Sequence, residues 1–88
     1  MIEENVTIEN RLGLHLRAAA LLVKEAEKYS SEISIVKDHI KVNAKSILGI
    51  MTLMATKGTQ LKIAADGKDE DEAIEGLKKL FTNKFYEE

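Results

Sequence analysis

Two residues apart in the run "NRLGLHLRAAA", Asn10 to Ala20, stand an imidazole, His15, and a guanidinium, Arg17. A neutral ring nitrogen is a nucleophile near neutral pH, and a guanidinium is a planar fork of donors that matches phosphate or carboxylate oxygens. Gly13 reads as a turn, and the leucine and alanine residues after it read as the start of a helix. His15 then falls at the cap position, with Leu16, Arg17 and Ala18 in the first turn. The backbone N–H groups of that turn have no partners within the helix, and the positive end of the helix dipole lies there too, so together they form an anion site. Arg17 runs against the usual preference for acids in a first turn, which points to a negatively charged guest. The helix field disfavours an imidazolium and so favours the nucleophilic ring, while a phosphoryl group on that ring would be held by the same field and by Arg17. The competing reading is a partly buried histidine hydrogen-bonded to backbone, with Arg17 a solvated helix residue.

These residues need elements to position them. Ile2, Val6 and Ile8 share one parity, which predicts a first strand ending near Glu9. Ala19, Leu22, Val23 and Ala26 follow helical spacing in a helix from Leu16 to about Tyr29. "EISIVKDHIKV" alternates through Ile33, Ile35, Ile40 and Val42 around a polar turn and predicts a hairpin. His39 in that turn is expected to take a left-handed backbone and is assigned no chemistry.

"NAKSILGIMTLMATKG" crowds Ile47, Leu48, Ile50, Met51, Leu53 and Met54 into a short segment. Ser46 is a favoured N-cap and Gly58 a downstream stop, so a short helix starts after Ser46. A helix of that size cannot bury its whole circumference in a small domain, and the surplus marks an interface. Leu61, Ile63 and Ala65 give a fourth strand, and Ala73, Ile74, Leu77, Leu80 and Phe81 stripe a last helix. Asp69 and Glu72 are placed to cap it. The order βαββαβα predicts an α+β open-faced sandwich, a four-stranded antiparallel sheet with helices on one face.

With 88 residues and 44% hydrophobic content, the chain fits a single domain spanning 1–88, expected to be monomeric. Its 13 basic and 15 acidic side chains give a net charge of −2, which argues against nucleic-acid binding. It has no cysteine and two histidines far apart, so neither a metal nor a cofactor is expected. The N-terminus lacks a secretory pattern, and no run approaches the ~20 apolar residues that span a bilayer. A cytoplasmic protein without membrane insertion is expected.

"GLHLRAAA", Gly13 to Ala20, resembles the Gly-Leu-His-x-Arg-Pro-Ala-Ala signature of HPr, the histidine-containing phosphocarrier family of the bacterial sugar phosphotransferase system. "NAKSILGIMTL", Asn43 to Leu53, is similar to that family's second signature, around a regulatory serine, and the likeness runs from about residue 2 to residue 81. The resemblance implies a phosphocarrier rather than a turnover enzyme. By that resemblance His15 takes a phosphoryl group on Nδ1 from phosphorylated enzyme I and passes it to IIA components of sugar permeases. Arg17 contacts the phosphoryl group, with the backbone of Leu16, Arg17 and Ala18 around it, and Ala20, Lys24, Ile47, Leu48 and Met51 dock partners. Ser46 matches a serine phosphorylated by an HPr kinase/phosphorylase, with a catabolite-control regulator as a further partner. A mainly regulatory binding module acting through phospho-Ser46 is the alternative. A phosphate at that cap is expected to stabilise the short helix and to act by placing charge beside the docking patch.

The chain departs from the pattern at Ala18, where most of the family has proline, and at Leu16, where small residues are common. Proline in a first turn fixes φ and removes a donor, whereas Ala18 restores an N–H. That donor is expected to keep the anion site adequate, and Leu16 to add apolar contact area around His15.

Overall fold

Alternating side chains and short turns build one antiparallel sheet, and three amphipathic helices cover one of its faces. The computed structural model describes residues 1–87. In chain order the elements are β1 (Ile2–Thr7), α1 (Leu16–Ala26), β2 (Glu32–Lys37), β3 (Ile40–Asn43), α2 (Ile47–Met51), β4 (Gln60–Asp66) and α3 (Glu70–Thr82). A left-handed turn over Lys84–Tyr86 follows α3. The strands lie in the order β1-β4-β2-β3, so β4, the last strand made, sits inside the sheet. This is the expected open-faced sandwich.

Register decides which face is buried. Ile2 pairs with Ala65, Val6 with Leu61, Ile33 with Ala65 and Ile35 with both Ile63 and Val42. These apolar residues share the helix-facing side: Ile33, Ile35, Leu61, Ile63 and Ala65 join Leu22, Val23 and Ala26 of α1, Ile50 of α2, and Ile74, Leu77 and Phe81 of α3 in one core cluster, with Ile2, Val6 and Val42 half-buried against it. Glu4 has the same parity, and it reaches Lys78 of α3 at 3.0 Å. Gly76 lets α3 approach the end of α1, where a Cβ would strike Tyr29 and Glu25. Burial and the hydrogen bond to Glu25 push the Tyr29 hydroxyl up to about 12.

Several local expectations are corrected. β1 stops at Thr7, although Ile8 continues backbone pairing with Thr59 and Gly58. α1 stops at Ala26, because Lys28 and Tyr29 donate to carbonyls three residues back and tighten the last turn. The left-handed residue of the β2–β3 turn is Asp38, with φ 55°, and not His39. Aspartate tolerates that region well, which leaves the histidine an ordinary exposed turn residue. α2 ends at Met51, well ahead of Gly58, and the chain turns at Met54 with φ 49°. Asp69 occupies the cap position of α3 but makes no cap bond with its side chain. Its carboxylate instead accepts from the Ser30 and Ser31 backbone and the Ser31 hydroxyl, tying α3 to the start of β2.

Candidate functional site

The segment that delivers His15 is pinned before the helix begins. Gly13 has φ +69°, and a Cβ there would lie 2.6 Å from the Ala55 carbonyl oxygen, so this close crossing needs glycine. Leu14 is buried and donates its N–H to Ala55 O at 3.0 Å. Asn10, wholly buried, donates Nδ2 to Gly13 O at 2.8 Å. These contacts fix the backbone on which His15 sits.

His15 is the N-cap of α1, with φ −76° and ψ 178°, and its side chain makes no cap hydrogen bond. The first intrahelical bond runs from Ala19 N to His15 O at 2.8 Å. The N–H groups of Leu16, Arg17 and Ala18 precede it and have no acceptor one turn back in the helix. No acidic residue occupies this first turn. Arg17 and Leu16 are exposed, the latter by 62%, while Ala18 is fully buried. His15 is half-buried. His15, Leu16, Arg17 and Ala18 thus share one helix start as neighbours in the chain, with Leu16 spreading outward rather than being enclosed.

Two partners of this site are absent from the expectations above, Asn10 and Glu87. The Nε2 atom of His15 meets the Glu87 carboxylate, and the other oxygen of Glu87 accepts from Asn10 Nδ2 at 2.9 Å. The His15 bond is therefore to a side chain and not to backbone. Burial works to raise the Glu87 carboxyl, but the Asn10 donor, the His15 contact and the nearby Arg17 charge outweigh it and hold it below the ordinary carboxylate value. An ionised carboxylate only accepts, so the ring nitrogen facing it carries the proton. The sequence signal was the aromatic pair in "KFYEE", an apolar anchor in a short charged tail.

α2 packs against α1, and its start is built differently. Ser46 Oγ accepts the Gly49 N–H at 3.0 Å, as the serine cap predicted. The six crowded apolar residues divide, with Ile50 and Leu53 buried, Met51 half-buried, Ile47 at the margin, and Leu48 and Met54 each 80% exposed. On α1, Ala20 and Lys24 are also exposed. A cavity of about 530 Å³ is lined by residues such as Ser31, Ser34, Lys41 and Lys45 and does not include His15 or Arg17. Among the described residues no group of three ligating side chains is placed to hold a metal, and no helix is long and apolar enough to cross a membrane.

An open-faced sandwich that presents a histidine at an uncapped helix start, beside an exposed apolar helix, is the architecture of a small carrier protein. The family model described as PTS HPr component phosphorylation site matches residues 2–83. The chain is 44% identical to phosphocarrier protein HPr of Treponema pallidum (strain Nichols) over 88 residues, the whole of both proteins. It is also 44% identical over 77 residues to the HPr-like protein Crh of Bacillus subtilis (strain 168), covering 88% of this chain and 91% of that one. The crystal structure of HPr-C-His from Thermoanaerobacter tengcongensis superposes with a TM-score of 0.97 at 51% identity, covering 100% of this chain and 99% of that one. The chain belongs to the HPr family, phosphocarriers of the phosphotransferase system.

Proposed function

We propose that the protein carries a phosphoryl group on Nδ1 of His15, taking it from phosphorylated enzyme I and giving it to IIA components of sugar permeases. The observation that supports this reading most directly is the half-buried imidazole at the uncapped start of α1, beside three N–H groups and Arg17. In this reading the nitrogen lone pair attacks phosphorus, and the developing charge on the phosphoryl oxygens meets the Leu16, Arg17 and Ala18 N–H groups and the Arg17 guanidinium. Ala20, Lys24, Ile47, Leu48 and Met51 form the face that partners cover, with exposed apolar area supplied chiefly by Leu48. Incubation with phosphoenolpyruvate and enzyme I tests the assignment. Acid-labile phosphate is expected on the parent chain and on no His15→Ala chain, and an equally labelled His15→Ala chain overturns it.

A second reading, regulation through phospho-Ser46, draws support from the likeness to an HPr-like protein, Crh. Ser46 is half-buried at the cap of α2, and its hydroxyl oxygen is the atom that a kinase would modify. A phosphate there would keep its charge next to the α2 N–H groups and set it beside Ile47 and Leu48, in the path of a docking partner. A catabolite-control regulator is the partner class for that form, with an HPr kinase/phosphorylase as the source of the phosphate. ATP with such a kinase is expected to give acid-stable phosphate that Ser46→Ala abolishes. Failure of labelling on the parent chain removes this reading and leaves the His15 reading intact.

A further inference from the structure

The chain beyond α3 is folded at a local cost. Lys84, Phe85 and Tyr86 have φ of 53°, 53° and 60°, three consecutive residues other than glycine in the left-handed region. Each such residue is disfavoured against a right-handed one, because its Cβ crowds the following carbonyl oxygen. A turn of this kind persists only where its surroundings over-determine it. Phe85 supplies one constraint, since it is 2% exposed and meets Phe81 edge-on with centroids 5.0 Å apart. Glu87 supplies the other, with a side chain only 9% exposed and both oxygens engaged, one by Asn10 and one by His15. The turn reverses the chain leaving α3 and brings a carboxylate to the residue at the start of α1.

The geometry points to Glu87 as a positioning residue for phosphotransfer, one that holds the ring proton of His15 on Nε2 and leaves the Nδ1 lone pair to receive the phosphoryl group. This rests on His15 being the phosphorylated residue. The two nitrogens lie on separate edges of the ring, so the carboxylate and the incoming phosphoryl group do not contend for one atom. The balance of the step is simple. The Nδ1 lone pair forms the new P–N bond, the P–N bond of the donor phosphohistidine breaks, and its electron pair returns to the donor ring. The Nε2 proton stays in place, and the ring charge that develops faces Glu87. On delivery the P–N bond breaks toward Nδ1 and restores the neutral Nε2–H ring. Asn10 holds the carboxylate and Arg17 lies in its field, so the device draws on the loop before α1, the first turn of α1 and the tail after α3.

The test compares Glu87→Ala and Glu87→Gln with the parent chain by ring ¹⁵N chemical shifts of His15 and by the rate of phosphoryl uptake from phosphorylated enzyme I. The parent is expected to show its neutral ring protonated at Nε2. Glu87→Ala is expected to show a mixture of tautomers and uptake slowed roughly tenfold. Glu87→Gln, whose carbonyl oxygen still accepts the Nε2 proton, is expected to keep the tautomer and recover most of the rate. A Glu87→Ala chain with the parent's tautomer overturns the proposal, and so does faster uptake, which would make the carboxylate a competitor for the anion site. Slower uptake matched by equal loss in Glu87→Gln, with no change in ring shifts, assigns Glu87 a structural role only and also overturns it. Uptake by a His15→Ala chain instead overturns the underlying assignment of the phosphorylated residue, so the two failures are distinct.

Discussion

The starts of α1 and α2 hold the same kind of backbone and opposite kinds of side-chain chemistry. His15 and Ser46 are both extended cap residues, neither helix has an acid in its first turn, and the two helices pack together. At Ser46 the hydroxyl turns inward and accepts the Gly49 N–H, which closes the helix end from within. At His15 the ring turns outward to Glu87, and the first-turn N–H groups are left for something else. An anion site at a helix start thus needs more than the helix. It needs a cap residue whose side chain is engaged elsewhere, and here a partner 72 residues away supplies that engagement. On the two readings proposed above, the same difference would separate two roles for phosphate, a transferable group at the open end and a modification at the closed one.

The largest effect expected within this comparison comes from the charge at the open end. Arg17→Ala removes the guanidinium from an exposed position in the first turn. Phosphoryl uptake by His15 is expected to fall by roughly a hundredfold, the scale of losing one stabiliser of developing negative charge. Thermal stability is expected to stay close to the parent's, because Arg17 lies outside the core. Stopped-flow or quench measurement of uptake, with a melting curve beside it, checks both parts. A hundredfold loss shared by the exposed Lys28→Ala, just past the end of the same helix, would mean that general positive charge, and not the Arg17 fork, carries the effect.

The closed end is expected to respond the other way, in stability and not in transfer. Ser46→Ala leaves the Gly49 N–H without its side-chain acceptor. A lost cap of this kind costs about 1 kcal/mol, or roughly 4–8 °C of melting temperature in a domain of this size. Phosphoryl uptake at His15 is expected to change by less than about twofold, well under the tenfold that 1.4 kcal/mol at the transition state would produce. Calorimetry and the uptake assay on one preparation check the pair. A large loss of uptake would show that the two helix ends are coupled.

How much of this was legible in the sequence depends on how far apart the cooperating residues lie. Periodicity within a strand or helix is local, and Ile33 and Ile35 or Leu22 and Ala26 announced their buried faces without reference to anything distant. The Ser46 cap was equally local, since the hydroxyl oxygen and the N–H that donates to it are three residues apart. Asp69 was misjudged because local capping lost to a tertiary demand, the unpaired N–H groups of Ser30 and Ser31. His39 was misjudged because two adjacent turn residues can both enter the left-handed region and only the fold selects one, here Asp38. Half of the candidate site was visible, His15 with its first turn, and half was not. Glu87 reaches it through three left-handed residues that no propensity favours, held there by Phe85 against Phe81.

The start of α3 extends the comparison to acid. Its first turn holds Glu70, Asp71 and Glu72, and Asp69 accepts from Ser31 and Ser30. The Ser31 hydroxyl and then the Ser30 N–H hold the Asp69 carboxyl below its ordinary value of 3.8, against a smaller opposing effect of burial. A carboxylate depressed in the folded state stabilises the fold above its unfolded value, and that contribution is lost as pH falls through the folded value. Melting temperature is therefore expected to fall as pH drops below about 4, and Asp69→Asn is expected to make that fall shallower. Melting curves from about pH 6 to about pH 2 check the sign. An Asn variant with the parent's slope would assign the acid sensitivity to other depressed carboxyls, among them Glu25, Glu70 and Glu87.

The smallest effect is expected where the chain departs most visibly from its family's signature. Ala18 is the third residue of α1, fully buried, and its N–H is one of the three that precede the first intrahelical bond. Ala18→Pro would delete that donor and fix φ near its helical value, a loss and a gain acting on the same turn. Proline is tolerated in a first turn because no intrahelical bond is broken there. With Arg17 and the N–H groups of Leu16 and Arg17 retained, uptake is expected to change by less than about threefold, the scale of a fraction of one hydrogen bond. A rate that rose by about tenfold would show that alanine impairs the site, and that a rigid turn contributes more to phosphoryl capture than a third donor. A rate that fell by the same factor would make the Ala18 N–H an indispensable contact. Uptake measured on Ala18→Pro against the parent, at matched stability, therefore decides how many of the open N–H groups at the start of α1 are used.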